Sequence, residues 1–241
     1  MRRPWILAAA ALPLLLALSG CEQMPGARAE AHPPLRPSAV LDFHTLYSQN
    51  CQACHGTAGQ NGPALDLANP EYLAMADDAR LRQIIANGMP GTQMPAWAKS
   101  AGGMLTDQQI DAIIAGMRRE WAKPDVFAGT TPPPLEQAAG GDAKRGQQAY
   151  QARCAMCHGG PARQQLTSDV YLSLISDDAL RTIIVAGRPD IGQPDWQHDS
   201  AKGAPATPLT GQEITDIVAY LGSQRNPATV SAAPIPVPPR R

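Results

Sequence analysis

Two sets of apolar residues recur along the chain at the period of an α-helix. They are Ile110, Ile113, Ile114 and Met117 in one half, and Ile214, Ile217, Val218 and Leu221 in the other. Thr106 and Thr210 stand just ahead of these sets and are good N-cap residues, so each set predicts a helix. No segment shows a convincing β-strand alternation of apolar and polar residues. The pattern therefore predicts an all-α fold.

Two earlier apolar runs also predict helices, because each ends at a glycine, a residue that commonly terminates a helix. These runs end at Gly88 and Gly187. Suitable N-caps precede them, namely Asp77 or Asp78 in the first case and Ser176 or Asp177 in the second. We predict one further helix ahead of each of the two cysteine pairs described below.

These elements belong to an internal repeat. A set of residues recurs at a constant separation of 99 positions. The first copy has Tyr72, Leu73, Leu81, Arg82, Ile84, Ile85, Gly88, Pro90, Pro95 and Trp97, and the second has Tyr171, Leu172, Leu180, Arg181, Ile183, Ile184, Gly187, Pro189, Pro194 and Trp196. We call residues 41–123 the first repeat and residues 142–225 the second repeat, and we predict that each forms one small domain.

Three segments outside the repeats lack hydrophobic periodicity. Residues 21–40 are rich in proline, alanine and polar residues, which predicts a flexible tether. Residues 124–141 form a Pro-rich linker whose three consecutive prolines favour an extended, semi-rigid spacer over a packed element. Residues 226–241 are predicted to be a disordered tail.

The first 20 residues predict the signal peptide of an exported lipoprotein. Arg2 and Arg3 precede a short apolar run over residues 6–18, too short to span a bilayer comfortably. The tetrad Leu-Ser-Gly-Cys that ends at Cys21 resembles the bacterial lipobox, in which the cysteine is acylated after cleavage. We expect lipidation of Cys21 and anchoring at a membrane by more than one acyl chain. An ordinary secreted protein with a spare thiol is the alternative.

Composition narrows the function. The formal net charge is −1, with 20 basic and 21 acidic residues, so the chain lacks the basic character of a nucleic-acid-binding protein. Aromatic residues make up only 5% of the chain, which is little for the cores of two small domains. A buried porphyrin would supply the missing apolar surface.

Each repeat contains one Cys-x-x-Cys-His motif. The motifs are Cys51-Gln52-Ala53-Cys54-His55 and Cys154-Ala155-Met156-Cys157-His158. Two thiols one helical turn apart suit addition to the two vinyl groups of a haem, and the histidine suits its iron. Disulfides would leave the histidines unexplained, a zinc site needs four ligands close together, and a thioredoxin-like pair belongs with a βαβ pattern. The sequence therefore predicts two covalently bound haem c groups.

With these motifs in place, both repeats resemble the class I cytochrome c family. In that family a first helix leads into the cysteine motif, a methionine loop follows a middle helix, and the last helix packs across the first. Tyr47 and Tyr150 fit the aromatic position of the first helix. The resemblance implies that His55 and His158 are the proximal iron ligands and that a loop methionine is the distal ligand.

In the first repeat the candidates for that methionine are Met89, Met94 and Met104. Met94-Pro95-Ala96-Trp97 resembles the Met-Pro-x-aromatic loop of the family, whereas Met89 aligns with Arg188 of the second repeat. We therefore expect Met94 to be the distal ligand. Met75, Met104 and Met117 are interpreted as core-filling side chains.

The second repeat departs from this pattern, because Gln193 stands where the methionine is expected and no methionine follows Met156. Candidate sixth ligands are His198, Gln193, Lys202 or an open position that holds water. Any of these would leave the second haem at a lower potential than a haem with a methionine ligand. We expect electrons to enter at the second haem and leave through the first.

The resemblance implies an electron carrier at the periplasmic surface of a bacterial membrane. Its donors would be quinol-oxidising complexes or dehydrogenases, and its acceptor a terminal complex. One alternative is a dihaem enzyme of the peroxidase or thiosulfate dehydrogenase type that uses a weakly ligated second haem. Another is a dedicated cytochrome subunit of one dehydrogenase or oxidase. The sequence shows no other catalytic motif that would favour an enzyme.

Overall fold

The computed structural model describes residues 35–127, 129–160, 166–198 and 207–226. Within these ranges the regular structure is helical, and the β-pairing consists of two isolated bridges, Ala98 with Leu105 and Arg188 with Gln193. The predicted all-α class is confirmed. Both repeats lie within one compact unit, Val40–Arg241.

The helices of the two repeats follow the same order. In the first repeat they are α1 (Phe43–Asn50), α2 (Gln52–His55), α3 (Pro70–Met75), α4 (Asp78–Asn87) and α5 (Asp107–Trp121). In the second they are α6 (Ala143–Arg153), α7 (Ala155–His158), α8 (Asp169–Ser173), α9 (Asp177–Ala186) and α10 (Gly211–Ser223). Short 3-10 turns are found at Pro37–Ala39, Lys99–Ala101 and Pro189–Ile191.

The helices begin where the sequence predicts. The side chains of Asp77 and Ser176 accept hydrogen bonds from the third residues of α4 and α9. Thr106 and Thr210 each form a complete capping box with the third residue of the last helix. These local bonds satisfy backbone N–H groups that a helix leaves without an internal partner.

The first and last helices of each repeat pack together. Where they cross, one helix contributes a glycine and the other an aromatic residue, and the two repeats place these residues on opposite helices. In the first, the Phe43 ring lies 2.1 Å from where a Cβ atom of Gly116 would be. At the equivalent positions of the second repeat, glycine and aromatic residue are exchanged, because Gly146 of α6 faces Tyr220 of α10. Trp121 also packs edge-on against Phe43, with ring centroids 5.4 Å apart.

An arginine near the end of the last helix secures the middle of each repeat. Arg118 donates to the carboxylate of Asp78, and Arg225 donates to the equivalent Asp177. Both guanidinium groups also donate to backbone carbonyls around the end of the preceding short helix, α3 or α8. Charge-assisted bonds of this kind are among the stronger hydrogen bonds in proteins.

The Pro-rich linker is irregular over its described residues, but the prediction that it is not packed is wrong at Leu135. That side chain is 3% exposed within the core. The carbonyl oxygen of Pro134 accepts a 2.7 Å hydrogen bond from Nε of Arg181, which is itself buried. Two contacts therefore hold the linker against the second repeat. Burial of the Leu135 side chain is favourable, and the Pro134 carbonyl exchanges its hydrogen bond to water for one to Arg181.

The methionines interpreted as core residues divide into two groups. Met117 is buried and Met75 packs against the core, as predicted. Met104 is 69% exposed, so the interpretation of Met104 as a core residue is wrong. It follows two glycines in the turn that leads to α5, where the chain runs along the surface.

Some predictions fall on residues outside the described ranges. These are the signal peptide, Cys21, most of the tether, Lys202 and the tail beyond residue 226. Among the described helices, none combines the length and the apolar character that crossing a bilayer requires.

Candidate functional site

The two Cys-x-x-Cys-His motifs have the same local structure. Cys51 and Cys154 each end one helix and begin the next, with nearly identical backbone angles (φ −117° and −114°, ψ −36° in both). The carbonyl oxygen of Cys51 accepts a 3.0 Å hydrogen bond from the backbone N–H of His55, and Cys154 accepts one of 2.9 Å from His158. Each motif is therefore a single helical turn that presents two thiols and an imidazole.

The thiols are available for covalent attachment. None of the four motif cysteines is in a disulfide. Burial, followed by the proximity of Cys54, raises the pKa of the Cys51 thiol to about 12. A protonated, partly buried thiol beside an apolar core suits addition to a vinyl group, and it does not suit a reactive redox pair, which needs a lowered pKa.

The His55 ring is held by a hydrogen bond to the backbone. Its Nδ1 lies 2.8 Å from the carbonyl oxygen of Leu65. Because a carbonyl oxygen only accepts, Nδ1 carries the proton and Nε2 keeps its lone pair for a metal. Burial lowers the pKa of His55, which favours the neutral imidazole that ligation requires. Residues 161–165, which follow the second motif in the sequence, lie outside the described ranges.

Met94 lies in a loop that folds back on the end of α4. The backbone N–H of Met89 donates to the carbonyl oxygen of Met94 at 3.0 Å, and that of Trp97 donates to Ile85 at 3.0 Å. Gly88 makes the turn possible with a left-handed φ of +73°. The Met94 side chain packs against the core and is partly exposed. The structure thus places it on the loop that follows the middle helix.

Gln193 occupies the equivalent backbone position in the second repeat. Arg188 N–H donates to the carbonyl oxygen of Gln193 at 3.0 Å, as Met89 N–H does to Met94. Trp196 N–H donates to Val185 at 3.2 Å, one residue beyond the position aligned with Ile85. The Gln193 side chain donates through Nε2 to the carbonyl oxygen of Ile183 at 3.3 Å. The two loops therefore share the hydrogen bond that closes the turn, and they differ in the second repeat by a 3-10 turn at Pro189–Ile191 and by the N–H of Gln193, which donates to Arg188.

His198 is an exposed side chain that is bound to a carboxylate. Its Nδ1 lies 2.6 Å from Oδ2 of Asp195, and the side chain is 70% exposed. Gln193 and His198 line one cleft together with Glu71 of the first repeat, and no residue of the second cysteine motif lines it. The other lining residues all belong to residues 186–198 of the second repeat, so the cleft is built mainly by the loop that carries the two candidate ligands.

Trp196 provides a further indication of a missing partner. It is 8% exposed, and its indole Nε1–H has no acceptor among the described residues. A buried donor without an acceptor is unfavourable, and a haem carboxylate is an acceptor that would satisfy it. This donor fits a haem in the second repeat.

Sequence reasoning missed the groups that support the motifs from outside. The carbonyl of Leu65 is a backbone group, so no residue type marks it in the sequence. Arg188 differs in type from Met89, the residue aligned with it in the first repeat, and this difference is visible in the sequence. Its contact with the first repeat could not be predicted from the sequence pattern.

Both repeats match known protein families. A family described as "Cytochrome C oxidase, cbb3-type, subunit III" matches residues 38–115, and one described as "Cytochrome c" matches residues 143–225. The chain is a dihaem class I c-type cytochrome. Two cytochrome c domains stand in tandem, each with its own Cys-x-x-Cys-His motif, and the cofactor complement is two haem c groups.

Three curated relatives resemble parts of this dihaem cytochrome. The cbb3-type cytochrome c oxidase subunit CcoP of Azospirillum sp. is 26% identical over 175 residues, which is 68% of this chain and 50% of the relative. Subunit FixP of Sinorhizobium medicae is 27% identical over 142 residues, 55% of this chain and 43% of the relative. Dihydro-heme d1 dehydrogenase of Pseudomonas aeruginosa is 36% identical over 96 residues, 36% of this chain and 18% of the relative. The dihaem cytochrome spans half or less of the length of these relatives.

Proposed function

We propose that this dihaem cytochrome carries electrons between redox proteins on the periplasmic side of a bacterial membrane. The observation that carries the proposal is the pair of Cys-x-x-Cys-His turns with one shared backbone conformation in two cytochrome c domains. Bound haem supplies an iron that gains and loses single electrons. The protein's task is to hold that group in one environment through both oxidation states.

The residues proposed to attach the two haems are those of the motifs. Cys51 and Cys54 hold one group and Cys154 and Cys157 the other, with His55 and His158 as proximal ligands. The free Nε2 of His55 supports this assignment. Met94 is proposed as the distal ligand of the first haem, because its loop has the expected fold. Gln193 or His198 is proposed as the sixth ligand of the second haem.

Mass spectrometry and spectroscopy test the proposal together. Protein made in cells with a cytochrome maturation system should carry one haem on each motif peptide. Redox titration should resolve two potentials, with the haem of the second repeat lower because it lacks a thioether ligand. Electron paramagnetic resonance of the oxidised protein, beside a Gln193→Met variant, identifies the sixth ligand. Two indistinguishable high potentials would contradict the ligand difference.

Electron transfer itself needs a kinetic test. The reduced protein, mixed with bacterial membranes that contain a terminal oxidase, should be reoxidised at a rate that depends on protein concentration. Carbon monoxide added to the reduced protein distinguishes a carrier from an enzyme, because it shifts the spectrum only where a haem has an open or weak sixth position. A fully loaded protein that no membrane fraction oxidises would overturn the proposal.

We also propose export and lipid anchoring through Cys21. The support is the sequence of the signal segment, in which a positive start and a short apolar run precede the lipobox-like tetrad. A Cys21→Ala variant should move from the membrane fraction to the soluble periplasm. The mature N-terminal peptide of the unaltered protein should carry the added mass of acyl chains. An unmodified Cys21 in membrane-bound protein would contradict the anchor.

A dedicated subunit of a larger complex is the second candidate. It is favoured by the relatives, because two of them are subunits of cbb3-type cytochrome c oxidases. Mild detergent extraction followed by affinity purification distinguishes the two functions. A stable complex with a copper or second haem-containing enzyme would favour the subunit, and a cytochrome that purifies alone would favour the mobile carrier.

A further inference from the structure

We propose that Arg188 and Asn69 build a fixed contact between the two repeats, and that this contact is the route for electron transfer between them. It joins the post-motif loop of the first repeat (residues 56–69) to the distal loop of the second repeat (residues 187–196). The inference rests on the proposed electron-carrier function. In this transfer one repeat is oxidised and the other reduced by one electron, with no bond made or broken.

Arg188 forms a buried ion pair that reaches across to the first repeat. It is 5% exposed and donates to both carboxylate oxygens of Asp190 at 2.8 Å. Its Nη2 also donates to the carbonyl oxygen of Gly62 at 2.9 Å. Asp190 in turn accepts a 2.8 Å hydrogen bond from the backbone N–H of Asn61. A buried ion pair is favourable only when its remaining polar atoms are bonded, and here backbone groups of the first repeat provide that bonding.

Asn69 forms the second part of the contact. It is 2% exposed, and its Nδ2 donates to the carbonyl oxygen of Ala186 at 2.7 Å, at the end of α9. Its Oδ1 accepts from the backbone N–H of Glu71 at 2.8 Å, which caps α3. One buried amide therefore bonds the start of a helix in the first repeat and the end of a helix in the second.

The residues of this contact differ between the repeats. Arg188 and Asp190 correspond to Met89 and Gly91, and Asn69 corresponds to Ser168. The post-motif loop is also longer, with 16 residues between His55 and Tyr72 and 12 between His158 and Tyr171. The domain fold does not need these features, since the other repeat folds without them. They serve the contact.

The contact connects the two haem-binding segments directly. A Cβ atom at Gly62 would lie 2.6 Å from the carbonyl carbon of His55, so Gly62 rests on the backbone of the first motif. At the other end, the backbone of Arg188 exchanges two 3.0 Å hydrogen bonds with Gln193. An unbroken path of covalent and hydrogen bonds runs from the proximal ligand of the first repeat to the distal position of the second. Electron tunnelling is faster along such a path than through a gap.

An Arg188→Met variant tests the contact, because methionine is the residue at the aligned position of the first repeat. In the full holoprotein, the Asn61 amide should lose protection from hydrogen exchange by about a hundredfold or more, since breaking one partner of a buried ion pair is strongly destabilising. The rate of electron transfer between the haems after photoreduction should fall. Asn69→Ser, which copies Ser168, should do the same if Arg188→Met fails to fold.

Arg225→Met is the matched control. It removes an arginine–aspartate pair inside the second repeat, so it should leave Asn61 protected and the transfer rate unchanged. Unchanged protection of Asn61 in Arg188→Met, or an unchanged transfer rate despite lost protection, would overturn the proposal. Failure of the carrier function would appear separately, as unaltered protein that exchanges no electrons with membrane oxidases while Asn61 remains protected.

Discussion

Tyr47 donates a 2.8 Å hydrogen bond from its hydroxyl to the carbonyl oxygen of Gly56, the residue that follows His55. The bond ties the first helix to the end of the cysteine motif. Tyr150 holds the aligned position in the second repeat and is 4% exposed, but its hydroxyl has no acceptor among the described residues. The two tyrosines are therefore equivalent in the sequence and different in their bonding.

This difference predicts unequal effects of removing the two hydroxyls. Tyr47→Phe should lower the free energy of unfolding by about 1 kcal/mol or more, because it leaves the Gly56 carbonyl without its partner. Tyr150→Phe should change it by less than about 0.5 kcal/mol. Guanidinium denaturation of the holoproteins, followed by circular dichroism, measures both. Equal losses in the two variants would show that the bond to Gly56 does not stabilise the motif.

The glycines between the first and last helices should not tolerate a methyl group. Alanine in a helix is normally more stable than glycine by about 1 kcal/mol. At Gly116 the new Cβ would meet the Phe43 ring at 2.1 Å, and at Gly146 it would meet the backbone oxygen of Asp216 at 1.8 Å. We expect Gly116→Ala and Gly146→Ala to be destabilising by about 1–3 kcal/mol.

Gly222→Ala is the control for these two variants. Gly222 is likewise a helical glycine, in α10, but the nearest atoms to its Cβ position are the ends of the Arg225 and Asp177 side chains, at 3.3 and 3.5 Å. Those groups can move, so this variant should be neutral or more stable. Thermal denaturation of the three holoproteins compares them. A neutral Gly146→Ala would contradict the close helix packing.

Asp216 should make the second repeat sensitive to acid. Hydrogen bonds from the Arg145 side chain, chiefly, and also from Asp142 N–H and Gln212, lower its pKa from 3.8 to about 2. A carboxyl group whose pKa is lowered in the folded state stabilises the protein at pH values above its ordinary pKa. This stabilisation is lost as the pH falls through the folded-state pKa of about 2. The unaltered protein should therefore lose stability between pH 4 and pH 2 that an Asp216→Asn variant does not lose.

Urea denaturation at several pH values measures this effect. The Asp216→Asn variant should be less stable than the unaltered protein at pH 6. Arg145 donates two hydrogen bonds to the Asp216 carboxylate, and the neutral amide of asparagine cannot accept both as a charged group does. The difference between the two should narrow as the pH falls. A difference that stays constant from pH 6 to pH 2 would exclude a contribution from ionised Asp216.

Arg181 should hold the Pro-rich linker in place. It is 1% exposed, and it donates to Pro134 at 2.7 Å and to the Thr215 hydroxyl at 2.9 Å. Arg181→Leu should release the linker and leave the Pro134 carbonyl without its donor. Limited proteolysis between residues 129 and 141 should then be faster. Arg82→Leu is the control, because Arg82 is the aligned residue, is more exposed and pairs with Asp111. Equal cleavage rates in both variants would contradict the role of Arg181.

Local features of the fold were predictable from the sequence. Thr106, Thr210, Asp77 and Ser176 all act as the N-caps that their residue types indicate, because a capping bond spans only three residues. The aligned loops at Met94 and Gln193 were predictable for the same reason. Their turns depend on a glycine and a few neighbouring backbone groups.

Contacts between distant segments were not predictable. Nothing in the residue type of Asn69 shows that its amide bonds a helix end 117 positions away. The packing of Leu135 depends on where the linker passes, and Met104 is exposed although its side chain is apolar. Burial is set by the whole fold, so one sequence can indicate which residues favour the core but not which of them reach it.

The exchanged positions of glycine and aromatic residue at the two helix crossings also determine which helices pair when the chain folds. If α1 packed on α10, Phe43 would collide with Tyr220, and if α6 packed on α5, two glycines would face each other across a void. Both wrong pairings are unfavourable, one through overlap and the other through lost contact. Tandem copies of a domain are prone to exchange such elements. This chain is protected from that misassembly by a single reciprocal change of side-chain volume.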